Sequence, residues 1–191
     1  MKGKSDKHQH SEHPRSRVAA LLLAQALIAA PLLTLAAGDK NVHLYGALVA
    51  EPCVVQPGDE EINLDFGSVI DKDLYLNTRT LGQSFEIHLK ECDLTLGKTV
   101  SVTFTGTENR ALPGLLTIDG SSKAVGIAIG LETWSAKPIP FNKASDKLLL
   151  QEGGNIIALK AYVQGEPDAI RNRSIARGTF SAVATFNLEY E

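Results

Sequence analysis

Short stretches in which apolar and polar residues alternate recur along residues 41–191, and glycine, proline or aspartate follows most of them. Residues 84–92 illustrate the pattern, because Phe85, Ile87 and Leu89 fall on one face and polar or charged residues on the other. A period of two residues is typical of β-strands. Many short strands separated by turn residues predict an all-β sandwich, and residues 38–191 are enough for one such domain.

The alternation also sets the extent of each predicted element. The predicted strands are 41–53, 62–66, 84–92, 100–104, 115–118, 125–131, 156–163 and 179–191. Residues 138–141 are predicted to be a loop or edge segment, 148–150 a short buried run, and 165–178 a polar loop. No long stretch with a period of 3.6 residues follows residue 37, so helices are not expected to form the core.

The first predicted strand has an unusual buried face. Val42, Leu44, Gly46 and Leu48 share that face, and a glycine inside a strand indicates that another backbone approaches closely. The strand could therefore pair within its own domain or with a neighbouring molecule.

An apolar leader precedes this strand. Residues 18–36 are almost entirely apolar, follow a basic segment and end in small residues, which together predict a secretory signal peptide over residues 1–37. The alternative is a single membrane anchor, since the apolar run is nearly long enough to span a bilayer. The histidines of the leader would leave with it, and His43 and His88 alone are too few for a histidine-based metal site.

The charge of the exported part excludes one class of partner. Residues 1–37 carry five basic and two acidic side chains, so the total of -3 leaves -6 for the remainder. Binding to phosphates requires clustered lysine and arginine. We therefore expect no nucleic-acid partner.

Cys53 and Cys92 are the only cysteines, and both follow the leader. Two thiols in an oxidising compartment predict one disulfide. A reactive or metal-binding pair is the alternative, but it would need neighbours that the sequence does not offer.

No motif for catalysis or cofactor binding is present. The sequence contains no G-x-S-x-G, H-E-x-x-H, C-x-x-C or phosphate-binding glycine loop. We predict neither an enzyme nor a cofactor. Trp134, between Thr133 and Ser135, leaves open a self-contained, lectin-like binding module. A secreted sandwich enzyme is a separate alternative, and it would need a polar pocket.

Four features together resemble the pilin subunits of the chaperone–usher pathway, the type 1 and P pilus group of Gram-negative bacteria. They are the Val42–Gly46 strand before Cys53, the cysteine pair, the segment 65–67 followed by 85–92, and the carboxyl-terminal ending. That ending combines Gly178, alternating apolar positions and a penultimate Tyr190. The resemblance covers residues 40–191.

This resemblance implies an incomplete immunoglobulin-like sandwich that lacks its last strand. A periplasmic chaperone would lend a strand to the open groove and bind the terminal carboxylate through basic residues. At the outer-membrane usher, the strand of a neighbouring pilin subunit would replace it, which is β-strand addition between chains. The assembled fimbrium would contribute to cell adhesion.

The resemblance also assigns roles to residues. The implied donor strand lies in an extension over residues 38–51, and the pilin domain covers 52–191. The donor positions are Val42, Leu44, Gly46 and Leu48, with Gly46 setting the register at a shallow pocket. The acceptor groove and chaperone contacts are Gly178, Ala182, Ala184, Phe186, Leu188, Tyr190 and Glu191. The sequence of the last five residues favours a minor subunit.

Overall fold

The computed structural model describes Val42 and residues 44–191. The predicted signal peptide and the residues Asn41 and His43 lie outside the described residues. Val42 and residues 44–50 form no strand, and Val42 and Leu44 are exposed. Residues 47–191 form one compact unit that contains all the elements below.

The described residues form nine strands and two short helices. The strands are β1 (Val54–Val55), β2 (Gln83–Cys92), β3 (Thr99–Thr105), β4 (Leu116–Thr117), β5 (Ile127–Thr133), β6 (Pro138–Ile139), β7 (Leu148–Leu149), β8 (Gly153–Gly165) and β9 (Thr185–Tyr190). The helices are α1 (Asp71–Asn77) and α2 (Pro167–Arg171).

The strands form two antiparallel sheets. The large sheet has the order β1-β2-β8-β5-β4, with β6 also pairing with β5. The small sheet has the order β7-β3-β9. Long strands form where β-branched and other apolar residues alternate with polar ones, since such side chains pack well on a pleated surface. The architecture confirms the predicted all-β sandwich of the incomplete immunoglobulin-like kind.

The core lies between the inner faces of the two sheets. Ile87 and Leu89 of β2 and Val100 and Val102 of β3 are at most 1% exposed. The predicted disulfide joins Cys53 to Cys92, and it links the residue before β1 to the end of β2. Both sulfur-bearing residues are buried in the main hydrophobic cluster.

Several predicted boundaries were wrong. Residues 62–66 form no strand, and residues 179–184 lie outside β9. Leu148 and Leu149 are exposed because β7 is an edge strand, so only Leu150 of the predicted buried run lies in the core. The predicted polar loop 165–178 contains α2, and α1 was not predicted.

Candidate functional site

The last strand, β9, has a free edge. Thr99 and Glu191 exchange two backbone hydrogen bonds, with N–H to O=C distances of 2.9 and 3.0 Å. Successive residues of an antiparallel strand direct their backbone groups to opposite sides. The N–H and C=O groups of Phe186, Leu188 and Tyr190 therefore point away from β3. No strand of the described chain pairs with that side of β9.

An extended segment, residues 62–69, lies opposite residues 178–180 across a cavity, and we call it the first wall of a groove. Ile62, Leu64 and Phe66 are half-buried, while the residues between them are exposed. Within the described part of the chain, residues 62–69 make no backbone–backbone hydrogen bond. The predicted strand therefore has the alternating side-chain pattern of a strand without a partner.

Residues 178–190 form the second wall. Ala182, Phe186, Leu188 and Tyr190 are half-buried and pack against the main hydrophobic cluster, as do Ile62, Leu64 and Phe66 of the first wall. Ala184 shares their side of the segment and is exposed. The half-buried side chains of both walls are thus continuous with the core. The assignment of residues 178–191 to an acceptor groove and chaperone contact stays a prediction.

Two cavities lie at the Gly178 end of the groove. A cavity of about 460 Å³ lies between residues 64–69 and 178–180. A second cavity of about 160 Å³ shares Val69, Gly178 and Phe180 with the first and extends to α1.

Gly178 is required by close packing of two backbone segments. A β-carbon at this position would lie 2.8 Å from the carbonyl carbon of Lys123 and 3.0 Å from the nitrogen of Ala124. The same approach allows the Lys123 N–H to donate to the Thr179 carbonyl at 2.8 Å. Gly178 therefore shapes the end of the groove through its missing side chain.

The opposite end of the groove contains a buried polar atom. The Tyr190 hydroxyl is buried and has no hydrogen-bond partner among the described residues. Burial raises the pKa of Tyr190, and the nearby carboxylate of Glu51 raises it further. Glu51 directly precedes Pro52 and Cys53, so the base of the amino-terminal extension lies beside this end of the groove.

The terminal residue is fixed to the small sheet. The Glu191 carbonyl oxygen accepts hydrogen bonds from the N–H groups of Lys98 at 2.6 Å and Thr99 at 2.9 Å. Its side chain forms an ion pair with Lys147, and both of these side chains are exposed. Acidic groups at the end of β9 are thus held at the surface, where basic groups of a partner can reach them.

The predicted donor residues lie on exposed backbone. Leu44 is 90% exposed and Leu48 is fully exposed. A β-carbon at Gly46 would meet no atom within 4 Å. The described donor positions are thus exposed, and their role as a donor strand stays a prediction.

The polar contacts in the described part of the chain include those of His88. His88 Nδ1 lies 2.8 Å from Asp59 Oδ2, and its Nε2 lies 3.2 Å from Glu86 Oε2. No group of three or more His, Cys, Asp or Glu side chains in this part of the chain could hold a metal ion.

No described helix is both long and apolar enough to cross a membrane. Trp134 is exposed, and the ammonium of Lys160 lies 4.9 Å from the centroid of its ring.

Sequence reasoning missed the first wall and the contact that it makes. Phe66 and Phe180 lie on opposite walls with ring centroids 6.0 Å apart. The alternation of residues 62–66 is the sequence feature that could have indicated this wall, but it predicts only a short strand.

The described residues combine an all-β sandwich with a last strand, β9, that pairs on one side only. Residues 42–191 match the family of fimbrial proteins. The chain is 35% identical over 180 residues to the fimbrial adapter PapK of Escherichia coli, covering 90% of this chain and 96% of that protein. It is 30% identical over 154 residues to the fimbria A protein of Serratia marcescens, covering 81% and 86% of the two chains.

A solved structure agrees with these relatives. The P pilus rod subunit PapA superposes with a TM-score of 0.64 at 26% identity, covering 74% of this chain and all of that chain. The chain therefore belongs to the fimbrial protein family. It is a pilin subunit of a chaperone–usher pilus, a non-enzymatic structural protein of the surface fimbriae of Gram-negative bacteria. This membership confirms the resemblance and removes the basis for an enzyme or a self-contained lectin-like module.

Proposed function

We propose that this subunit polymerises by strand exchange and that the resulting fibre contributes to cell adhesion. Its groove accepts a strand from a neighbouring pilin, and its own extension over residues 38–51 fills the groove of another subunit. The observation that carries this proposal is the free edge of β9 above an exposed part of the core.

Backbone and side chains of the groove support the proposal in different ways. Phe186, Leu188 and Tyr190 each present one free N–H and one free C=O, so an added strand can continue the small sheet. In β-strand addition, main-chain hydrogen bonds supply affinity, and pockets for alternate side chains supply specificity. Val42, Leu44 and Leu48 would supply the alternate side chains, and Gly46 would fit where the groove is shallow.

Before assembly, the same edge needs protection. An unpaired strand beside exposed apolar residues is an aggregation hazard. We propose that the signal peptide, residues 1–37, directs export to the periplasm, where a chaperone covers the groove until the outer-membrane usher is reached. Basic residues of that chaperone would bind the terminal carboxylate of Glu191, which lies at the surface beside Lys98 and Thr99.

Adding the missing strand in cis tests the proposal. Three proteins are compared: mature chain, mature chain with a copy of residues 40–51 attached after Glu191 by a short linker, and a control whose attached copy carries Leu44→Asp and Leu48→Asp. We expect the attached copy to raise the unfolding midpoint strongly and to suppress aggregation, and we expect the control to have little effect. A mature chain that is already as stable as the extended one would contradict the open groove.

Deleting residues 38–50 separates donation from folding. We expect the deletion variant to form a normal complex with its chaperone and to fail only in polymerisation. Loss of folding in this variant would show that the extension pairs within its own domain.

The position in the fibre is a separate proposal. The sequence of the last five residues favours a minor subunit, and the similarity to an adapter is compatible with this assignment. Quantitative peptide analysis of purified fimbriae should find this subunit well below the most abundant pilin.

A further inference from the structure

His88, on the outward face of β2, connects the turn over residues 56–60 to the large sheet. Its ring nitrogen Nδ1 lies 2.8 Å from Asp59 Oδ2, and its backbone N–H donates to the same oxygen at 2.7 Å. The other ring nitrogen, Nε2, lies 3.2 Å from Oε2 of Glu86. A carboxylate oxygen therefore faces each of the two ring nitrogens.

The number of protons on the ring decides whether both contacts are favourable. A neutral imidazole has one donor nitrogen and one acceptor nitrogen, whereas an imidazolium donates from both, and an ionised carboxylate only accepts. Only the doubly protonated ring can therefore donate to Asp59 and Glu86 at the same time. In a neutral ring with its proton on Nδ1, the lone pair of Nε2 faces Glu86, and only the contact with Asp59 stays favourable.

Asp59 is held in its ionised form by His88. The backbone N–H of His88, followed by its side chain, lowers the pKa of Asp59 below its ordinary value, and the charge of Lys90 adds a smaller effect in the same direction. The side chains of His88 and Asp59 are 30% and 18% exposed, and that of Glu86 is 49% exposed. Water reaches all three groups, so each ion pair is of the modest strength found at protein surfaces.

The elements beside the ring contribute uncharged neighbours. The residue opposite His88 on β8 is Ile156, and on the other side the Gln56 N–H donates to the His88 carbonyl at 2.8 Å. Glu60 of the turn accepts the Gly58 N–H at 2.6 Å. Among the described residues, the charged groups that face the ring are thus the two carboxylates, with the ammonium of the next outward residue of β2 beside them.

The turn lies between the disulfide and the first wall. The bond from Cys53 to Cys92 and the pairing of β1 fasten residues 53–55 to β2. Residues 60–69 make no backbone–backbone hydrogen bond within the described chain. The contacts of His88 are therefore the last hydrogen bonds to β2 before the chain enters the first wall.

We propose that His88, Asp59 and Glu86 form a pH-responsive clasp, which holds the turn over residues 56–60 on β2 most firmly while the imidazole is doubly protonated. The contact with Glu86 is lost as the pH rises through the range in which an imidazole gives up its second proton, ordinarily near 6.5. The contact with Asp59 stabilises the fold above the ordinary pKa of an aspartate and is lost as the pH falls through the lowered one. The clasp is therefore strongest between about pH 4 and pH 6.

Nitrogen-15 magnetic resonance of the histidine rings in the mature chain tests the charge state. Residues 38–191 contain only His43 and His88, so His88→Gln removes one set of ring signals and identifies it. We expect the His88 ring to carry protons on both nitrogens at pH 5.5 and to keep its remaining proton on Nδ1 at pH 8. A remaining proton on Nε2 at pH 8 would overturn the clasp. The strand-extended chain takes the place of the mature chain should the latter aggregate.

Urea unfolding at pH 5.5 and pH 8 measures what the clasp does for stability. Loss of an exposed ion pair raises the unfolding equilibrium constant by roughly 1.5- to 5-fold. We expect Glu86→Gln to cause a rise in this range at pH 5.5 and none at pH 8. His88→Gln should show the same difference between the two pH values, because it also removes the contact with Glu86.

Glu91→Gln is the matched control, because Glu91 is an exposed glutamate of the same strand that forms no ion pair within the described chain. We expect its effect to be the same at both pH values. An effect of Glu86→Gln that does not change with pH, or an equal pH dependence in Glu91→Gln, would contradict the clasp.

Discussion

β8 and β9 have the same alternating sequence pattern but different surroundings. β8 pairs with β2 on one side and β5 on the other, and Ile157, Leu159, Ala161 and Val163 of its inner face are at most 3% exposed. β9 pairs only with β3, and the apolar residues of its inner face are half-buried. The difference lies in the missing neighbour, since a strand's side chains are covered by the strands beside it as well as by the opposite sheet.

The two sheets therefore differ in how complete they are. The large sheet ends in the short strands β1, β4 and β6, which limit the exposed edge that could pair with other chains. The small sheet ends in the full length of β9. Within the described chain, the longest edge strand is therefore β9 of the small sheet.

Core truncations should show the largest contrast between the two regions. Ile87→Ala, in the large sheet, should cost about 2–5 kcal/mol with or without an attached donor strand, because Ile87 is fully buried in both proteins. Leu188→Ala should cost only about 1 kcal/mol in the mature chain, where the side chain is half-exposed. With the donor strand attached, the cost of Leu188→Ala should rise towards that of Ile87→Ala.

Urea unfolding at low protein concentration measures the change in unfolding free energy that each of the two substitutions causes, in the mature chain and in the strand-extended chain. An equal cost of Leu188→Ala in both backgrounds would mean that the donor strand does not cover Leu188. That result would contradict the assignment of Leu188 to the groove.

The outer face of the large sheet contains a buried ion pair, and its disruption should cause the next largest loss of unfolding free energy. Glu132 is 2% exposed, and Arg79 Nη2 donates to its Oε2 at 2.8 Å. The guanidinium carbon of Arg79 also lies 3.9 Å from the centroid of the Tyr162 ring. Arg79→Ala should cost about 2–3 kcal/mol, because it leaves a buried carboxylate unpaired. Glu132→Gln combined with Arg79→Met should cost less than Arg79→Ala alone.

The same unfolding assay on the strand-extended chain measures this effect. A peptide of residues 40–51 should bind to the Arg79→Ala variant at the wild-type rate, since Arg79, Glu132 and Tyr162 lie on the outer face of the large sheet. A changed rate would show that the two regions are coupled.

Much of this fold follows from the alternation of residue types, and the failures have identifiable causes. Residues 84–92 were predicted well because the strand has partners within the chain. Residues 62–66 have the same pattern, but alternation reports which face is apolar and carries no information on where the hydrogen-bond partner lies. α1 was missed because Leu74 is its only buried residue, which leaves no helical stripe to detect.

The resemblance to pilins and the shared face of the carboxyl-terminal residues predict an acceptor groove there, and that assignment stays a prediction. The contact of Phe66 with Phe180 depends on how two distant segments approach each other in space. No local pattern records such an approach, so it required the three-dimensional structure.

The smallest predicted effect concerns the ion pair between Arg177 and Asp71. The hydrogen bonds from Arg177 lower the pKa of Asp71 below its ordinary value, and the charge of Arg177 adds to the effect. A carboxyl group whose pKa is lower in the folded state stabilises the fold above its unfolded pKa, and this stabilisation is lost as the pH falls through the folded pKa. Asp71→Asn should therefore be less stable than the wild type at pH 7, and the difference should shrink below about pH 4.

Urea unfolding of the strand-extended chain between pH 7 and pH 3 measures this difference. Asp73→Asn is the matched control, because Asp73 lies in the same first turn of α1 and forms no ion pair within the described chain. We expect a pH-dependent difference for Asp71→Asn and a nearly constant one for Asp73→Asn. The same pH dependence for Asp71→Asn and the wild type would show that the ion pair with Arg177 does not contribute to the loss of stability in acid.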